Sequence, residues 1–364
     1  MKTETANRIW YPALDGIRGL AILLVVFYHN FGFIDYFFFG WLGVDLFFVL
    51  SGFLITDILI RTRNNPHFLS SFYKKRVLRI FPLYYLVLII FLVVIPALQL
   101  PIPGLSYFLQ NQLWLWLYLQ NWLFIFKPPG SSTLLTPLWS LAVEEQYYLL
   151  WPFLILFVRN VKVLFAVLLL LLLGVISIRF VIWTYQLESL AYFNLYTFSR
   201  IDGICLGSML ALLRSWNASL VKKNTTLIVF ILAAINFLFF FFNRSYHFSF
   251  PYLAVVGFTT FAVLFCLLVN EAITKENKFI DLVFNLPSLK FFGKISYSLY
   301  VFHWPIHLLL FPIILPFIQN NLTENTLSGS VVSSIVTTCA GVLISVFSYQ
   351  YFEKIFLKIK NKIG

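Results

Sequence analysis

Repeated apolar runs of helix length constrain this sequence more than any other feature. Ten such runs follow one another along the 364 residues, and most of the basic residues fall between them. About 20 apolar residues are enough to cross a bilayer as a helix. The pattern predicts an all-α polytopic membrane protein, with about ten transmembrane helices around a polar interior cavity. The predicted spans are Tyr11–Phe33, Gly40–Ile60, Phe81–Leu100, Thr136–Val158, Val163–Trp183, Asn194–Arg214, Thr225–Phe242, Pro251–Asn270, Ile295–Phe317 and Val331–Phe352.

The composition agrees with a chain embedded in a lipid bilayer. Hydrophobic residues make up 60% of the sequence and charged residues only 11%, which is unlike a soluble domain of this size. The net charge of +12 resides mainly in short loops, so it indicates membrane topology and no nucleic-acid partner. Each of the three cysteines lies inside an apolar run, and we expect no disulfide.

One segment, residues 107–126, is ambiguous because glutamines and asparagines interrupt its apolar pattern. If it does not cross the membrane, 21 of the 26 basic residues lie on one side. Basic loops mark the cytoplasmic side, so this arrangement predicts that both termini are cytoplasmic. Residues 101–135 then form an extracytoplasmic loop with an interfacial helix. We expect the first span to be retained and residues 1–364 to form a single membrane domain.

The first span carries three polar residues that are costly to bury in lipid. Asp15, Arg18 and His29 lie within the run LDGIRGLAILLVVFYHN, and intramembrane ionisable residues usually mark a functional site. Arg18 and His29 are 11 positions apart, close to three helical turns, so both point the same way about 16 Å apart along the axis.

The predicted topology sorts the other polar residues into two layers. A cluster of acids, bases and imidazole suits proton transfer, whereas arginines match phosphate oxygens bidentately. The layer toward the outside contains His29, Asp45, Glu144, Glu145, Arg179, Arg200 and Asp202. The layer toward the cytoplasm contains Arg18, Arg76, Arg79 and Lys294, with Tyr297, Tyr300 and His303 slightly deeper.

Several segments together resemble the acyltransferase-3 family of bacterial integral membrane acyltransferases. LDGIRGLAILLVVFYH resembles its first-span motif, GVDLFFVLSGFLIT its FFxxSG motif with Ser51 and Gly52, and KKRVLRIFPLYY its RxxR motif with Arg76 and Arg79. LWSLAVEEQYYLLWP, SRIDGICLGSML, GKISYSLYVFHWPI and YFEK also look familial. Members often carry an appended esterase-like domain, and this sequence is similar to the membrane-only subgroup.

The resemblance implies transfer of an acyl group, commonly acetyl from acetyl-CoA, to a hydroxyl of a carbohydrate. The expected acceptor is a cell-surface glycan such as O-antigen or exopolysaccharide, at the bacterial cytoplasmic (inner) membrane. Acetyl-CoA would be a donor substrate, and no permanently bound cofactor or metal is expected. Acyl chain length and oligomeric state stay open.

Roles for individual residues follow from the layers and the resemblance together. Arg18, Arg76 and Arg79 are expected to hold the CoA phosphates, and the pantetheine arm would pass Ser51 and Gly52. His29 is the expected general base, with Asp45, Glu144 or Glu145 as its partner. Candidates for contacting the substrate or the oxyanion are Arg200, Asp202, Ser51, Tyr297 and His303.

Three alternatives stay open from the sequence. His29 could carry the acyl group itself, which would give ping-pong kinetics. His303 and His307 are four residues apart on one helical face, but no acidic or cysteine partner completes a metal site there. Intramembrane charges also mark transport pathways, so a transporter or flippase is the main rival, although no repeat of interrupted spans is present.

Overall fold

The computed structural model describes residues 11–131, 133–185, 197–217, 225–243, 252–322 and 325–363. These residues form helices and turns, and no β-strand occurs among them. The predicted all-α class is therefore confirmed. Two of the predicted spans begin outside the described residues, at Asn194 and Pro251. Five of the 26 basic residues counted above also lie outside them: Lys2, Arg8, Lys222, Lys223 and Arg244.

The α-helices are numbered along the chain, and α3 continues through a π-helical turn (Ile90–Val94) into a last short turn (Ile95–Ala97) that is not numbered separately. The first eight are α1 (Pro12–Phe31), α2 (Leu42–Thr62), α3 (Phe68–Ile89), α4 (Leu105–Gln110), α5 (Gln112–Trp116), α6 (Gln120–Phe126), α7 (Trp139–Phe157) and α8 (Val161–Thr184). The later ones are α9 (Thr197–Arg200), α10 (Asp202–Trp216), α11 (Thr226–Asn243), α12 (Phe258–Thr274), α13 (Lys278–Phe284), α14 (Pro287–Asn321), α15 (Thr326–Ser348) and α16 (Lys354–Lys362).

Seven helical segments of the described chain are long and apolar enough to cross a membrane. Three of the ten predicted spans are not among them, for different reasons. Helix α7 carries Glu144, Glu145 and Gln146, which lower its hydropathy, and α10 has only 15 residues. The apolar part of α11 is also shorter than a full span. The structure thus supports several membrane-spanning helices, and the count of ten stays a prediction.

The chain is divided into two compact units of discontinuous sequence. The first unit comprises Met1–Leu20, Val44–Leu69 and Val143–Gly293. The second comprises Ala21–Gly43, Ser70–Ala142 and Lys294–Gly364. Each unit is described separately below.

The segment 107–126 of the second unit differs from the single interfacial helix expected there. It belongs to three short helices, α4 to α6, each too short to cross a bilayer. The helical conformation is interrupted between α5 and α6 at Tyr118, whose backbone has a positive φ of 55°. Tyr118 stacks on Tyr84 with ring centroids 4.1 Å apart. Two of the interrupting amides, Gln120 and Asn121, are fully buried, and Gln120 donates to the Leu138 carbonyl at 2.7 Å.

A close helix crossing organises the first unit. Helices α2 and α10 meet at two glycines, where a Cβ atom on Gly52 would lie 2.0 Å from the Ile204 carbonyl oxygen. A Cβ on Gly207 would lie 2.0 Å from the Val49 carbonyl oxygen. Small residues permit this backbone approach between membrane helices. Gly52, predicted to line a CoA channel, thus has an evident packing role.

Gly52→Ala is expected to destabilise the protein by about 1–3 kcal/mol, because the added methyl overpacks the crossing. Gly174→Ala is the matched control, since a Cβ at that helical position meets nothing within 4 Å. Thermal unfolding of both variants in the same detergent measures the difference. Equal melting temperatures for the two variants would contradict close packing at Gly52.

Candidate active site

A pair of histidines, the half-buried His29 and the buried His303, forms the core of the candidate active site in the second unit. His29 lies in the last turn of α1, and its Nδ1 is 2.9 Å from Nε2 of His303 on α14. His303 is only 1% exposed. The ring of His29 also lies against Trp304, with centroids 5.0 Å apart. The partner of His29 in this structure is therefore a second imidazole.

The hydrogen bonds assign a tautomer to each of these histidines. His303 Nδ1 lies 2.9 Å from the carbonyl oxygens of both Leu299 and Tyr300. A carbonyl only accepts, so His303 Nδ1 carries the proton, and Nε2 of the neutral ring is an acceptor. His29 must then donate from Nδ1, which leaves the lone pair on its Nε2. That nitrogen is the one that a general base needs.

Further polar contacts close a ring of three helices around this pair. His307 follows His303 by one turn of α14, and its Nδ1 is 2.9 Å from Thr337 Oγ1 on α15. The neighbouring Thr338 accepts a 2.8 Å hydrogen bond from Asn30 Nδ2 on α1. We call this set the histidine cluster: His29, Asn30, His303, His307, Thr337 and Thr338.

Trp304 forms one wall of the histidine cluster. Its indole stacks on His307 at 12°, with centroids 5.5 Å apart, and its other ring contact is His29. The indole Nε1 donates to the Thr133 carbonyl at 2.9 Å. Trp304 and Asn30 had no assigned role in the sequence analysis, although each is the immediate neighbour of a singled-out histidine.

The RxxR arginines lie on helix α3 of the second unit. Because α3 begins at Phe68 and not at the predicted Phe81, Arg76 and Arg79 are helical and share a face. Both are half-buried, and the buried carboxyl group of Glu353 is close enough to interact electrostatically with Arg79.

Tyr297 of the second unit, one of the oxyanion candidates, already uses its hydroxyl proton. Tyr297 Oη donates to the Ile80 carbonyl at 2.6 Å. The bond ties α14 to α3 near the RxxR arginines. Its role as an oxyanion donor stays a prediction, and the structure shows it as a helix tie.

Two buried ion pairs gather predicted site residues in the first unit. Arg200 Nη2 is 2.8 Å from Asp45 Oδ1, and Arg179 pairs with Asp202. The side chains are at most 2% exposed. The Phe258 ring lies 4.1 Å from Arg200 Cζ, within cation–π distance. Asp45 thus has an arginine as its close partner in this unit.

A hydroxyl chain in the same unit involves the FFxxSG serine. Tyr148 Oη donates to Glu144 Oε2 at 2.9 Å. Since that proton is engaged, Ser51 donates its own proton to Tyr148 Oη. Glu145 is half-buried beside Glu144 on α7.

Arg18, the remaining predicted phosphate ligand, belongs to the first unit. It pairs with Asp15 at 2.9 Å, and both side chains are about one-fifth exposed. Arg18 is thus placed with the first-unit group of Asp45, Ser51, Gly52, Glu144, Glu145, Arg200 and Asp202. The second-unit group is His29, Arg76, Arg79, Tyr297 and His303. Their catalytic and binding roles stay predictions.

Seven described helical segments that are long and apolar enough to cross a membrane, together with buried ionisable side chains in each unit, define a helical membrane protein. The profile of the family described as acyltransferase domain matches residues 11–348. The chain belongs to this acyltransferase-3 family, so the resemblance found in the sequence is confirmed.

Curated relatives share about 29% identity with the chain. Peptidoglycan O-acetyltransferase OatA of Listeria monocytogenes is 29% identical over 373 residues, which cover 97% of this chain and 56% of the relative. Putative peptidoglycan O-acetyltransferase YrhL of Bacillus subtilis is 29% identical over 377 residues, with the same coverage. A putative O-acetyltransferase of Staphylococcus aureus is 28% identical, over 84% of this chain and 52% of the relative. The chain spans about half the length of these relatives, and no solved structure matches.

Proposed function

We propose that this chain is a multi-pass membrane O-acyltransferase that moves an acetyl group from acetyl-CoA to a hydroxyl of a glycan. The single observation that carries the proposal is His29, whose Nδ1–H is held by His303 so that Nε2 keeps a lone pair. Family membership supports acyl transfer over the transporter alternative.

The proposed reaction needs one group that first acts as a base and then, as an acid, gives the same proton to the leaving group. His29 Nε2 takes the proton of the acceptor hydroxyl while the hydroxyl oxygen attacks the thioester carbonyl carbon of acetyl-CoA. The tetrahedral intermediate then breaks the carbon–sulfur bond, and the leaving CoA sulfur takes the proton back from the His29 imidazolium. This route leaves an ester on the acceptor and free CoA. The acyl-histidine alternative would instead form a covalent bond at the same nitrogen.

The donor is proposed to enter from the cytoplasm. Arg76 and Arg79 share a helix face, and guanidinium groups bind phosphate oxygens strongly and bidentately. In the proposed ten-span topology, the excess of basic residues in loops on one side favours a cytoplasmic position for this end and for both termini. Acetyl-CoA is used here as a substrate, with no resident cofactor, in the bacterial cytoplasmic membrane.

The proposed acceptor is peptidoglycan or a closely related cell-wall glycan. Two of the relatives are named as peptidoglycan O-acetyltransferases, one of them putatively. These names favour a cell-wall glycan over the O-antigen and exopolysaccharide that were expected from the family alone. Both kinds of acceptor present hydroxyl groups, so the same proton transfer serves either.

The activity itself is tested with purified protein in nanodiscs, given acetyl-CoA and peptidoglycan fragments. Release of CoA thiol should match the appearance of alkali-labile acetyl groups on the glycan. Acyl-CoA turnover also distinguishes this proposal from transport. The absence of transfer from every acyl-CoA tried, with folded protein, would overturn it.

Arg79→Gln is expected to raise the KM for acetyl-CoA by roughly 10–100-fold, the size of a lost charged hydrogen bond of about 1.5–3 kcal/mol. Lys74→Gln is the matched control, because Lys74 lies on the same helix but is exposed. Steady-state kinetics against acetyl-CoA measure both. Equal KM values for acetyl-CoA in the Arg79→Gln and Lys74→Gln variants would show that Arg79 does not bind the CoA phosphates.

A further inference from the structure

The buried serine hydroxyls of α15 differ in whether they have a hydrogen-bond partner. Ser333 and Ser345 donate to the carbonyls of Gly329 and Gly341, four residues earlier. Ser334 is also fully buried, but its hydroxyl has no hydrogen-bond partner among the described residues. Ser334 lies one turn before Thr337 and Thr338, on the side of α15 that meets the histidine cluster.

Asn30 presents a second unpaired polar atom at the same place. It is 1% exposed, and Nδ2 donates to Thr338, while Oδ1 has no partner among the described residues. Exchanging the amide oxygen and nitrogen would leave the nitrogen unpaired instead. One amide atom therefore lacks a partner within the described chain in either orientation.

Unpaired buried polar atoms are uncommon in native proteins, since burial without a hydrogen bond costs free energy. Two such atoms lie within about one helical turn of Thr338, and Asn30 directly follows His29. A group that both donates and accepts hydrogen bonds satisfies Asn30 in either orientation as well as Ser334. A hydroxyl is the smallest such group.

We propose that Asn30 and Ser334 bind a hydroxyl-bearing, uncharged part of the carbohydrate acceptor and hold it beside His29. This assignment rests on the proposed function. The residues that meet here are neutral amide and hydroxyl groups with imidazoles, and they offer no Lys or Arg to a phosphate. The subsite therefore fits the sugar acceptor and not the CoA phosphates.

The proposed topology brings the acceptor to this place from the outside. Asn30 is the penultimate residue of α1, and Ser334 is the ninth residue of α15. With both termini cytoplasmic, the end of α1 and the beginning of α15 face the outer side of the membrane. A glycan outside the membrane reaches this subsite without passing the cytoplasmic end of the site.

The test compares Asn30→Ala and Ser334→Ala with the control Ser333→Ala in the nanodisc assay, using a peptidoglycan-derived disaccharide as acceptor. Each test variant should raise the KM for the disaccharide by roughly 3–10-fold, as expected for a lost neutral hydrogen bond. The KM for acetyl-CoA should be unchanged. Ser333→Ala should match the wild type in both, because its hydroxyl is paired within α15.

Two results would overturn the subsite. Unchanged disaccharide KM in both test variants would mean that these atoms bind only water, and a raised acetyl-CoA KM would assign them to the donor. Asn30→Ser, which keeps a short polar side chain, serves if Asn30→Ala does not fold. A wild-type protein without any acyl transfer would refute the proposed function instead, so the two failures are distinguishable.

Discussion

His29→Ala is expected to lower kcat for acetyl transfer by roughly 10²–10⁴-fold, the usual contribution of a positioned general base. Acetyl-CoA binding should persist, since the phosphate ligands of the proposed function, Arg76 and Arg79, lie on α3. Thiol release under saturating substrates measures kcat, and isothermal titration with acetyl-CoA measures binding. The exposed His67 provides a control substitution outside the cluster. A His29→Ala protein that turns over like the wild type would refute the mechanism, even with the family unchanged.

The same assay separates the two roles left open for His29. Direct transfer requires both substrates bound together and gives intersecting double-reciprocal plots. An acyl-histidine intermediate gives parallel plots and a labelled protein after incubation with radioactive acetyl-CoA alone. Parallel plots with label on His29 would replace the general-base role with the nucleophilic one.

His303 is expected to act as a positioning residue through the tautomer of His29. His303→Leu removes the acceptor for His29 Nδ1–H, so a loss of roughly 10–100-fold in kcat is expected, as for other partners that orient a functional histidine. His303→Gln should recover part of this loss, because its amide oxygen also accepts that proton. Equal activity of the Leu and Gln variants would show that His303 acts only in packing.

The class of the protein was predictable, because apolar runs and loop charges act locally along the chain. The relation between Arg76 and Arg79 followed from helical spacing once α3 was shown to include them. The interruption of the helix at Tyr118 was not predictable, since a tyrosine with positive φ has no local sequence signal.

The contacts of the histidine cluster were beyond sequence reasoning for a different reason. His29 and His303 are separated by 274 positions, and helical periodicity indicates a face but not the helix that packs against it. Depth along the membrane grouped His29 with the carboxylates without choosing a partner. In the structure, the hydrogen-bond partner of His29 is the imidazole of His303, and Asp45 forms an ion pair with Arg200.

Asp202→Ala is expected to destabilise the protein by about 3–5 kcal/mol, because it leaves the buried Arg179 without its countercharge. The cost is high inside a membrane protein, where little water reaches the abandoned guanidinium. Asp57→Ala is the matched control. Its partner Arg61 is about one-third exposed, so that pair is worth at most about 1 kcal/mol. Unfolding in mixed micelles measures both, and equal losses would contradict a stabilising role for this buried pair.

The double variant Arg179→Met with Asp202→Leu then separates stability from function. Replacing both charges with apolar side chains of similar size is expected to recover most of the stability, since neither charge is left unpaired. If the double variant folds and also transfers acetyl groups normally, the pair is structural and the predicted substrate contact of Asp202 is wrong. If it folds but has a raised acceptor KM, the buried charges of the first unit take part in binding, and Asp202 keeps the role that its depth in the membrane predicted.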